Sequence, residues 1–243
     1  RLARFVPQAP KTYRGILALG VTTTTDDLAG NVVSRHEGPL PGAEAVLSAA
    51  ALRLGRQLQV PPAFSARQVG GTRMYRLARR GVVVDAPATE IVVERLGLAP
   101  TDAPDLWTYE LVVSAGTYVR AIVRDLGLDL GCGAAVASLR RTAIGPLRVD
   151  DALSIPAERV SLRDAVRSRL IPIDAMPLDL PSIALASPLD ATRFVAGGVV
   201  TIDAAHLQDS TLAAVRYDLG RLLGVGHKGE GTIKPRMVLP RGA

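Results

Sequence analysis

The feature of this sequence that most constrains its fold is a change of hydrophobic period between residues 106 and 131. The stretch LWTYELVV, residues 106–113, combines β-branched and aromatic residues as a short strand does. Gly116 then permits a sharp turn. From Thr117, the predicted N-cap, apolar residues recur at helical spacing as far as Gly131, the predicted stop. A strand that turns directly into an amphipathic helix predicts helices packed on a sheet.

Two side chains at the start of this predicted helix carry chemistry. Tyr118 and Arg120 fall in its first turn, and Arg120 shares with Arg124 a face that the apolar stripe does not use. A cation at a helix N-terminus opposes the helix dipole, so Arg120 is locally unfavourable unless an anion lies nearby. From the spacing alone, a solvated arginine on an amphipathic helix is the simpler interpretation.

Composition excludes several classes of protein. A chain of 243 residues with 48% hydrophobic and 21% charged residues is globular, with one large domain or a large and a small one. Cys132 is the only cysteine and the three histidines are scattered, which argues against a disulfide framework and a zinc cluster. We therefore expect a cytoplasmic protein without a metal. No apolar stretch has the length of a membrane span.

The basic residues are concentrated in one segment. The net charge is +6, and nearly all of the 29 basic residues are arginines, which suit phosphate contacts, although genome base composition could cause the same bias. Residues 61–81 hold five arginines and no acid, with Phe64, Tyr75 and a Gly-Gly turn between them. Cations interleaved with aromatic rings favour a nucleic-acid contact loop. A solvated arginine-rich helix after a hairpin is an equally good interpretation.

The remaining pattern predicts an α+β fold with a small second module. Strand-like stretches at residues 13–25, 91–98 and 135–149 alternate with a helical stretch at 42–56. The acids in TTTTDDLAG, Asp26 and Asp27, do not indicate a metal site, because neighbours on a strand point to opposite faces and no further ligands are nearby. We interpret this stretch as a turn. Repeated prolines after residue 170 indicate a domain boundary near 168. The glycine-punctuated apolar segments of residues 169–243 are typical of a β-barrel-like module.

Three stretches together resemble the TruB family of tRNA pseudouridine synthases. They are KTYRGILALGVTTTTDDLAG (11–30), QVPPAFSARQVGGTRMYRLARRG (59–81) and SAGTYVRAIVRDLGLDLGCGAAVASLRRTAIGPL (114–147). The tail looks like a PUA domain, an RNA-binding β module. The resemblance implies a mainly antiparallel pseudouridine-synthase sheet with flanking helices in residues 1–168, an RNA-inserting thumb segment at about 61–85, and a PUA-like domain at 169–243.

The resemblance also implies a reaction and its residues. In this family an aspartate adds covalently to a T-loop uridine that is flipped out of the RNA. The glycosidic bond is cleaved, and the base is rotated and rejoined through carbon without a cofactor. Arg120 matches the arginine that pairs with this aspartate, and Tyr13 matches the tyrosine that stacks on the base and is a candidate for the final proton transfer. Tyr118 and Leu139 match residues that line the base pocket, and Arg1 matches a nearby basic residue.

The expected partner is the T stem-loop of tRNA, bound by a monomer without a metal or a membrane. The residues expected to contact RNA are Arg67, Arg73, Arg76, Arg80, Lys228, Lys234 and Arg236.

One departure from the family pattern concerns the nucleophile. The family's Gly-His-Thr-Gly-Thr-Leu-Asp-Pro-like motif does not occur in these residues, and we expect it a short distance before Arg1. None of Asp26, Asp27, Asp125 and Asp129 has a comparable context. We therefore expect these residues alone to leave Arg120 unpaired and to be inactive. The alternatives are a noncatalytic RNA-binding or tRNA-folding module, or another enzyme such as a base-exchanging transglycosylase, which would need an acidic pair in a motif that we do not find.

Overall fold

The computed structural model describes residues 1–82, 86–155 and 162–240. The chain divides into two compact units, one formed by Gln8–Asp151 and the other by Arg1–Pro7 with Ala152–Ala243. The compact units divide after residue 151, whereas the functional boundary expected near 168 stays a prediction. The last residues of the expected thumb segment, 83–85, lie outside the described residues.

The unit formed by Gln8–Asp151 is built on an antiparallel sheet. Its described strands are β1 (Lys11–Leu19), β2 (Val21–Thr23), β3 (Val32–Arg35), β4 (Gly55–Gln59), β5 (Gln68–Val69), β6 (Thr72–Arg73), β7 (Thr89–Pro100), β8 (Leu106–Val113), β9 (Ala134–Ile144) and β10 (Leu147–Arg148). Its described helices are α1 (Ala43–Leu52), α2 (Met74–Ala78) and α3 (Val119–Asp129). Six of these strands form the main sheet in the order β10-β9-β1-β8-β7-β4, and every neighbouring pair is antiparallel.

The core of this unit lies between the sheet and two helices. Strand β8 alternates in burial: Trp107, Tyr109, Leu111 and Val113 are buried, and the residues between them are less so. Apolar side chains of α1 and α3 join these residues in one cluster. One face of the sheet is therefore covered by helices, as the alternation of apolar and polar residues requires.

The other unit is a small β module. Its described α-helices and strands are α4 (Leu162–Arg169), β11 (Ser182–Ala184), α5 (Pro188–Val195), β12 (Val200–Thr201), β13 (Leu212–Tyr217), β14 (Arg221–Gly229) and β15 (Thr232–Val238), and Leu2–Phe5 and Ile173–Ala175 form short 3-10 helices. The strands form a half-barrel sheet in the order β11-β13-β14-β15-β12, in which only the β11–β13 pair is parallel among the described strands. Phe194 of α5 is fully buried in its core. The α+β class predicted from the sequence is confirmed.

The strand and helix at the change of period form as predicted, except at the cap. Strand β8 has the predicted bounds, and Gly131, in the left-handed region at φ +71°, follows the end of α3. The N-cap is Tyr118 and not the predicted Thr117. The Thr117 hydroxyl instead lies 3.3 Å from the hydroxyl of Ser114 in the turn, so it does not cap the helix.

Candidate active site

Arg120 lies in the first turn of α3 and is held from two directions. Its Nη1 donates to the Asp27 carboxylate at 2.9 Å and to the carbonyl of Thr25 at 2.8 Å, and its Nη2 donates to the carbonyl of Phe64 at 2.8 Å. The anion that the helix dipole requires is therefore Asp27. The expectation that Arg120 is unpaired within these residues is wrong, because this carboxylate meets it.

The turn between β2 and β3 explains how Asp27 reaches α3. Asp26 has a φ of +60°, in the left-handed region, so the two neighbouring carboxylates do not alternate as they would on a strand. Asp27 Oδ1 accepts hydrogen bonds from the Thr25 hydroxyl at 2.7 Å and the Ala29 amide at 3.2 Å. The prediction of a turn is confirmed, but the argument that the two acids point apart is wrong.

Arg124 forms a second bridge one helical turn further on. It contacts the carboxylate of Asp26 at 3.4 Å and that of Asp125 at 2.8 Å, and its Nη2 donates to the carbonyl of Val60 at 3.0 Å. Burial raises the pKa of the Asp26 carboxyl, against the opposing charges of Arg124 and Arg120. Both arginines of α3 therefore link the acidic turn to the segment that follows β4.

Gln59 fixes the start of α3 and was missed by the sequence analysis. Its side chain is 2% exposed, accepts from the backbone amide of Tyr118 at 2.8 Å and donates to the carbonyl of the same residue at 3.1 Å. An amide side chain that pairs with both backbone groups of one residue acts like a neighbouring strand. A polar residue two positions before Pro61 was the only signal in the sequence, and many exposed glutamines share it.

Tyr13 and Leu139 lie on the sheet face that α3 covers. Tyr13 of β1 is opposite Leu111 of β8 and packs partly buried against the main core. Leu139 of β9 is opposite Gly15, two residues after Tyr13, so both side chains are on the same face. The 45% exposed side chain of Leu139 suits the wall of an open pocket more than a core position.

The acidic turn joins this face through β9. The amide of Val136 donates to the carbonyl of Asp26 at 3.0 Å, and the amide of Leu28 donates to the carbonyl of Val136 at 2.9 Å. Asp27 therefore sits beside the strand that carries Leu139. Arg1 is exposed and belongs to the other compact unit, so its contact with substrate stays a prediction.

The arginine-rich segment is a hairpin followed by one helical turn. Strands β5 and β6 meet at Gly70 and Gly71, which both have positive φ, and α2 follows. Buried Met74 anchors it through a contact with the Ser65 hydroxyl at 3.4 Å. The side chains of Arg73, Arg76, Arg79 and Arg80 are exposed, whereas Arg67 is partly buried and donates to the Thr89 hydroxyl.

Tyr75 lies among these cations. The guanidinium carbons of Arg76 and Arg79 are 6.0 and 5.7 Å from the centre of its ring. A hydrogen bond with Arg76 lowers the pKa of the Tyr75 phenol. A ring surrounded by exposed cations can stack on an unpaired base while its neighbours meet phosphates.

The tail cations fall into two groups. Lys234 and Arg236 of β15 are exposed. Lys228 is only 6% exposed, and its ammonium is 2.6 Å from the carboxylate of Asp209. The prediction that Lys228 contacts phosphate is therefore corrected, because its charge is buried and already paired.

Within the described residues, no group of three or more metal-ligating side chains is close enough to hold an ion. None of the helices described has the length and apolar character needed to cross a membrane.

Family models match most of the chain across the residues just described. The model of the TruB family pseudouridylate synthase N-terminal domain matches residues 1–119, and that of the tRNA pseudouridylate synthase B C-terminal domain matches residues 120–176. The chain belongs to the TruB family of pseudouridylate synthases. The two matches meet at Arg120, inside α3, so the candidate site of this TruB family member draws on both.

Curated relatives agree with this assignment, and a solved structure shows a similar fold. The tRNA pseudouridine synthase B of Burkholderia mallei (strain NCTC 10247) is 37% identical over 240 residues, which is 97% of this chain and 78% of that protein. That of Sinorhizobium medicae (strain WSM419) is 36% identical over 243 residues, covering 96% and 77%. A crystal structure of a Cbf5-Nop10-Gar1 complex superposes with a TM-score of 0.71 at 19% identity, covering 99% of this chain and 70% of that one. This likeness confirms the predicted fold of the TruB family chain.

Proposed function

We propose that this TruB family member converts a T-loop uridine of tRNA to pseudouridine. The observation that carries the proposal is Arg120, fixed at the start of α3 by Asp27 and by the carbonyl of Phe64. A cation held this firmly suits the orientation of a reacting carboxylate, because catalysis depends on placing the reacting groups accurately. The names of the relatives, tRNA pseudouridine synthase B, support tRNA as the substrate.

The sheet face next to α3 suits the handling of a flipped base. In the proposed reaction the target uridine leaves its stack, and its ring lies between Tyr13 and the wall that contains Leu139 and Tyr118. The pocket must hold the detached uracil while it turns and forms its bond through carbon. The Tyr13 hydroxyl is then the candidate for moving the last proton, and no cofactor or second copy of the chain takes part.

Asp27 is a poor nucleophile and a good support for Arg120. One carboxylate oxygen receives Arg120, and the other receives the Thr25 hydroxyl and the Ala29 amide. An oxygen engaged in this way is stabilised as an anion and is less reactive. We propose that the attacking aspartate belongs to the family's Gly-His-Thr-Gly-Thr-Leu-Asp-Pro-like motif, which these 243 residues do not contain, so that they bind tRNA without modifying it.

Binding energy in this proposal comes from exposed cations away from the reacting base. Arg73, Arg76 and Arg80 contact the T stem-loop, and Lys234 and Arg236 of the PUA-like tail contact phosphates elsewhere on the cytoplasmic tRNA. A noncatalytic RNA-binding module would need the basic surfaces but not the partly buried Asp27–Arg120 pair. That pair therefore favours the enzyme over the module.

The test compares two proteins on two RNAs. One protein is the 243-residue chain, and the other is the same chain extended at its N-terminus by a segment that carries the family's Gly-His-Thr-Gly-Thr-Leu-Asp-Pro-like motif. Each is incubated with a tRNA transcript and with a transcript in which cytidine replaces the T-loop uridine, and pseudouridine is mapped. We expect pseudouridine only from the extended protein and only at the T-loop uridine.

Three results would contradict parts of this proposal. Modification by the 243-residue chain alone would mean that the nucleophile lies within these residues. Modification at another uridine would overturn the T-loop assignment. If the extended protein folds and binds tRNA but forms no pseudouridine, the proposed activity is wrong.

A further inference from the structure

A tyrosine on β8 spans the neighbouring strand to reach β9. Tyr109 is 4% exposed, and its hydroxyl donates to the carbonyl oxygen of Ser138 at 3.0 Å. Strand β1 lies between β8 and β9, and Gly15 is the β1 residue opposite Tyr109. The phenol therefore crosses a whole strand to make this contact.

Gly15 is the residue that permits the crossing. A Cβ atom at this position would collide with the carbonyl oxygen of Ser138 and would lie 2.5 Å from the Tyr109 hydroxyl. Real Cβ atoms do not approach other atoms this closely, so a side chain here would displace one of the two groups. The absence of a side chain at Gly15 and the large ring at Tyr109 are thus matched to each other.

The carbonyl that Tyr109 binds lies at an irregularity of β9. The register between β1 and β9 shifts between Ile16 and Leu17, whose partners are Ser138 and Val136, so Ala137 is left over as a bulge. A bulge re-aims the residues beside it, and here the residue after Ser138 is Leu139. On the other side of the bulge, Val136 is bound by the acidic turn.

We propose that Tyr109 is a positioning residue of the base pocket: by holding the carbonyl of Ser138 across Gly15, its hydroxyl fixes the direction of Leu139, which forms the pocket wall. This inference rests on the proposed function, because the pocket is the one assigned there to the flipped uracil. Burial raises the pKa of the Tyr109 phenol, which keeps the hydroxyl protonated as the donor that this role needs.

The test measures how much the target base contributes to binding, and it uses the 243-residue chain without any need for catalysis. Two T stem-loop RNAs are compared, one with uridine and one with an abasic site at the target position. A stacked and enclosed base is expected to improve the dissociation constant about tenfold or more in the unchanged protein. This ratio of the two dissociation constants is the readout.

Tyr109→Phe removes only the hydroxyl. We expect it to reduce the ratio about threefold, as the loss of one hydrogen bond would, while binding of the abasic RNA stays unchanged. Thr108→Val is the control: it removes a β8 hydroxyl that donates to Ala99 at 3.2 Å on the opposite face, and it should leave the ratio unchanged. On a Leu139→Ala background, Tyr109→Phe should add no further reduction, because the two residues act on the same contact.

Gly15→Ala provides a second variant, which should also reduce the ratio because its methyl group displaces the phenol. An unchanged ratio of dissociation constants for Tyr109→Phe would overturn the inference. So would an equal loss of affinity for both RNAs, because it would indicate a general loss of structure. A ratio of about one in the unchanged protein would instead overturn the proposed function, and the inference with it.

Discussion

The arginines of α3 and those of the arginine-rich segment use the same side chain in opposite ways. Arg120 and Arg124 have side chains that are 24% exposed, and each binds a carboxylate and a backbone carbonyl from a different part of the chain. The side chains of Arg73, Arg76 and Arg80 are exposed in a segment without an acidic residue. The first pair is therefore fixed in place, and the second group can adapt to a partner.

This difference follows from solvent access. A partly buried ion pair is screened little by water, and removing one partner leaves the other charge uncompensated. Exposed cations repel one another weakly and are screened by salt. They contribute most to the free energy of binding when they neutralise a polyanion and release its counterions. We therefore propose that Arg120 serves the chemical step and that the exposed arginines serve affinity, and the predictions below test this difference between buried and exposed charges.

The largest effect is expected from Arg120→Met in the extended protein. Losing the cation that orients the nucleophile should lower kcat by about a thousandfold, while the dissociation constant for tRNA stays within about tenfold. Single-turnover pseudouridine formation and filter binding measure the two quantities. Arg14→Met is the matched control, because Arg14 is on β1 but its side chain is 68% exposed and paired with Glu110. If Arg14→Met lowers the rate as much as Arg120→Met does, the partly buried arginine has no special role in the chemical step.

A smaller effect, on binding and not on chemistry, is expected from the arginine-rich segment. Changing Arg73, Arg76 and Arg80 together to Ala should weaken tRNA binding about tenfold or more and reduce the slope of log affinity against log salt by about two. The charge-matched control changes Arg14, Arg56 and Arg95, whose carboxylate partners are on the protein surface. If both triple variants change the salt slope equally, or if neither changes it, Arg73, Arg76 and Arg80 are not the RNA contacts that we propose.

The tail contains both kinds of cation and permits a finer test. Lys234→Ala with Arg236→Ala should raise KM about threefold and leave kcat unchanged, because both side chains are exposed. Lys228→Ala should instead lower the free energy of unfolding by roughly 1–2 kcal/mol through the loss of its contact with Asp209. Thermal unfolding and kinetics of these two variants, made in the extended protein and compared with it, separate these outcomes. A raised KM with unchanged stability for Lys228→Ala would restore it as an RNA contact.

The smallest effect concerns pH and the carboxyl of Asp26. Because burial raises its pKa in the folded state above the ordinary 3.8, the folded protein binds this proton more tightly than the unfolded chain does. Stability from this group is therefore lost as the pH rises from about 3.8 through the raised value. Relative to Asp26→Asn, the unchanged protein should become less stable over that window, with Asp150→Asn, an exposed acid, as control. Parallel melting temperatures at every pH would mean that burial does not perturb Asp26.

Local patterns in the sequence predicted much of the fold and part of the site. Strand β8, the helix after it and the shared face of Arg120 and Arg124 follow from hydrophobic period alone. The helix-dipole argument indicated that Arg120 needs a nearby anion, but the sequence analysis expected that anion outside these residues and did not identify Asp27. The sequence argument assumed that the side chains of Asp26 and Asp27 point to opposite faces, as on a strand. The left-handed backbone of Asp26 removes this alternation, and the local sequence does not specify that conformation.

The contacts that the sequence could not give join residues far apart in the chain. Gln59 binds Tyr118 across 59 positions, and Tyr109 binds Ser138 across 29. Such contacts depend on strand order and on a bulge in β9, which are set by the packing of the whole sheet. The burial of Lys228 could not be predicted from the sequence either. A lysine beside a glycine in a strand is usually exposed, and only the packing around β14 buries this one.

The central claim is that Asp27 and Arg120 act as one unit in the chemical step. The most direct measurement is single-turnover tritium release from tRNA labelled at carbon 5 of uridine, using the extended protein and its Asp27→Asn, Arg120→Met and doubly changed variants. If Asp27 works only by holding Arg120, the double variant should be no slower than Arg120→Met alone. If the two losses multiply in the double variant, Asp27 and Arg120 contribute independently and the account of the site is wrong.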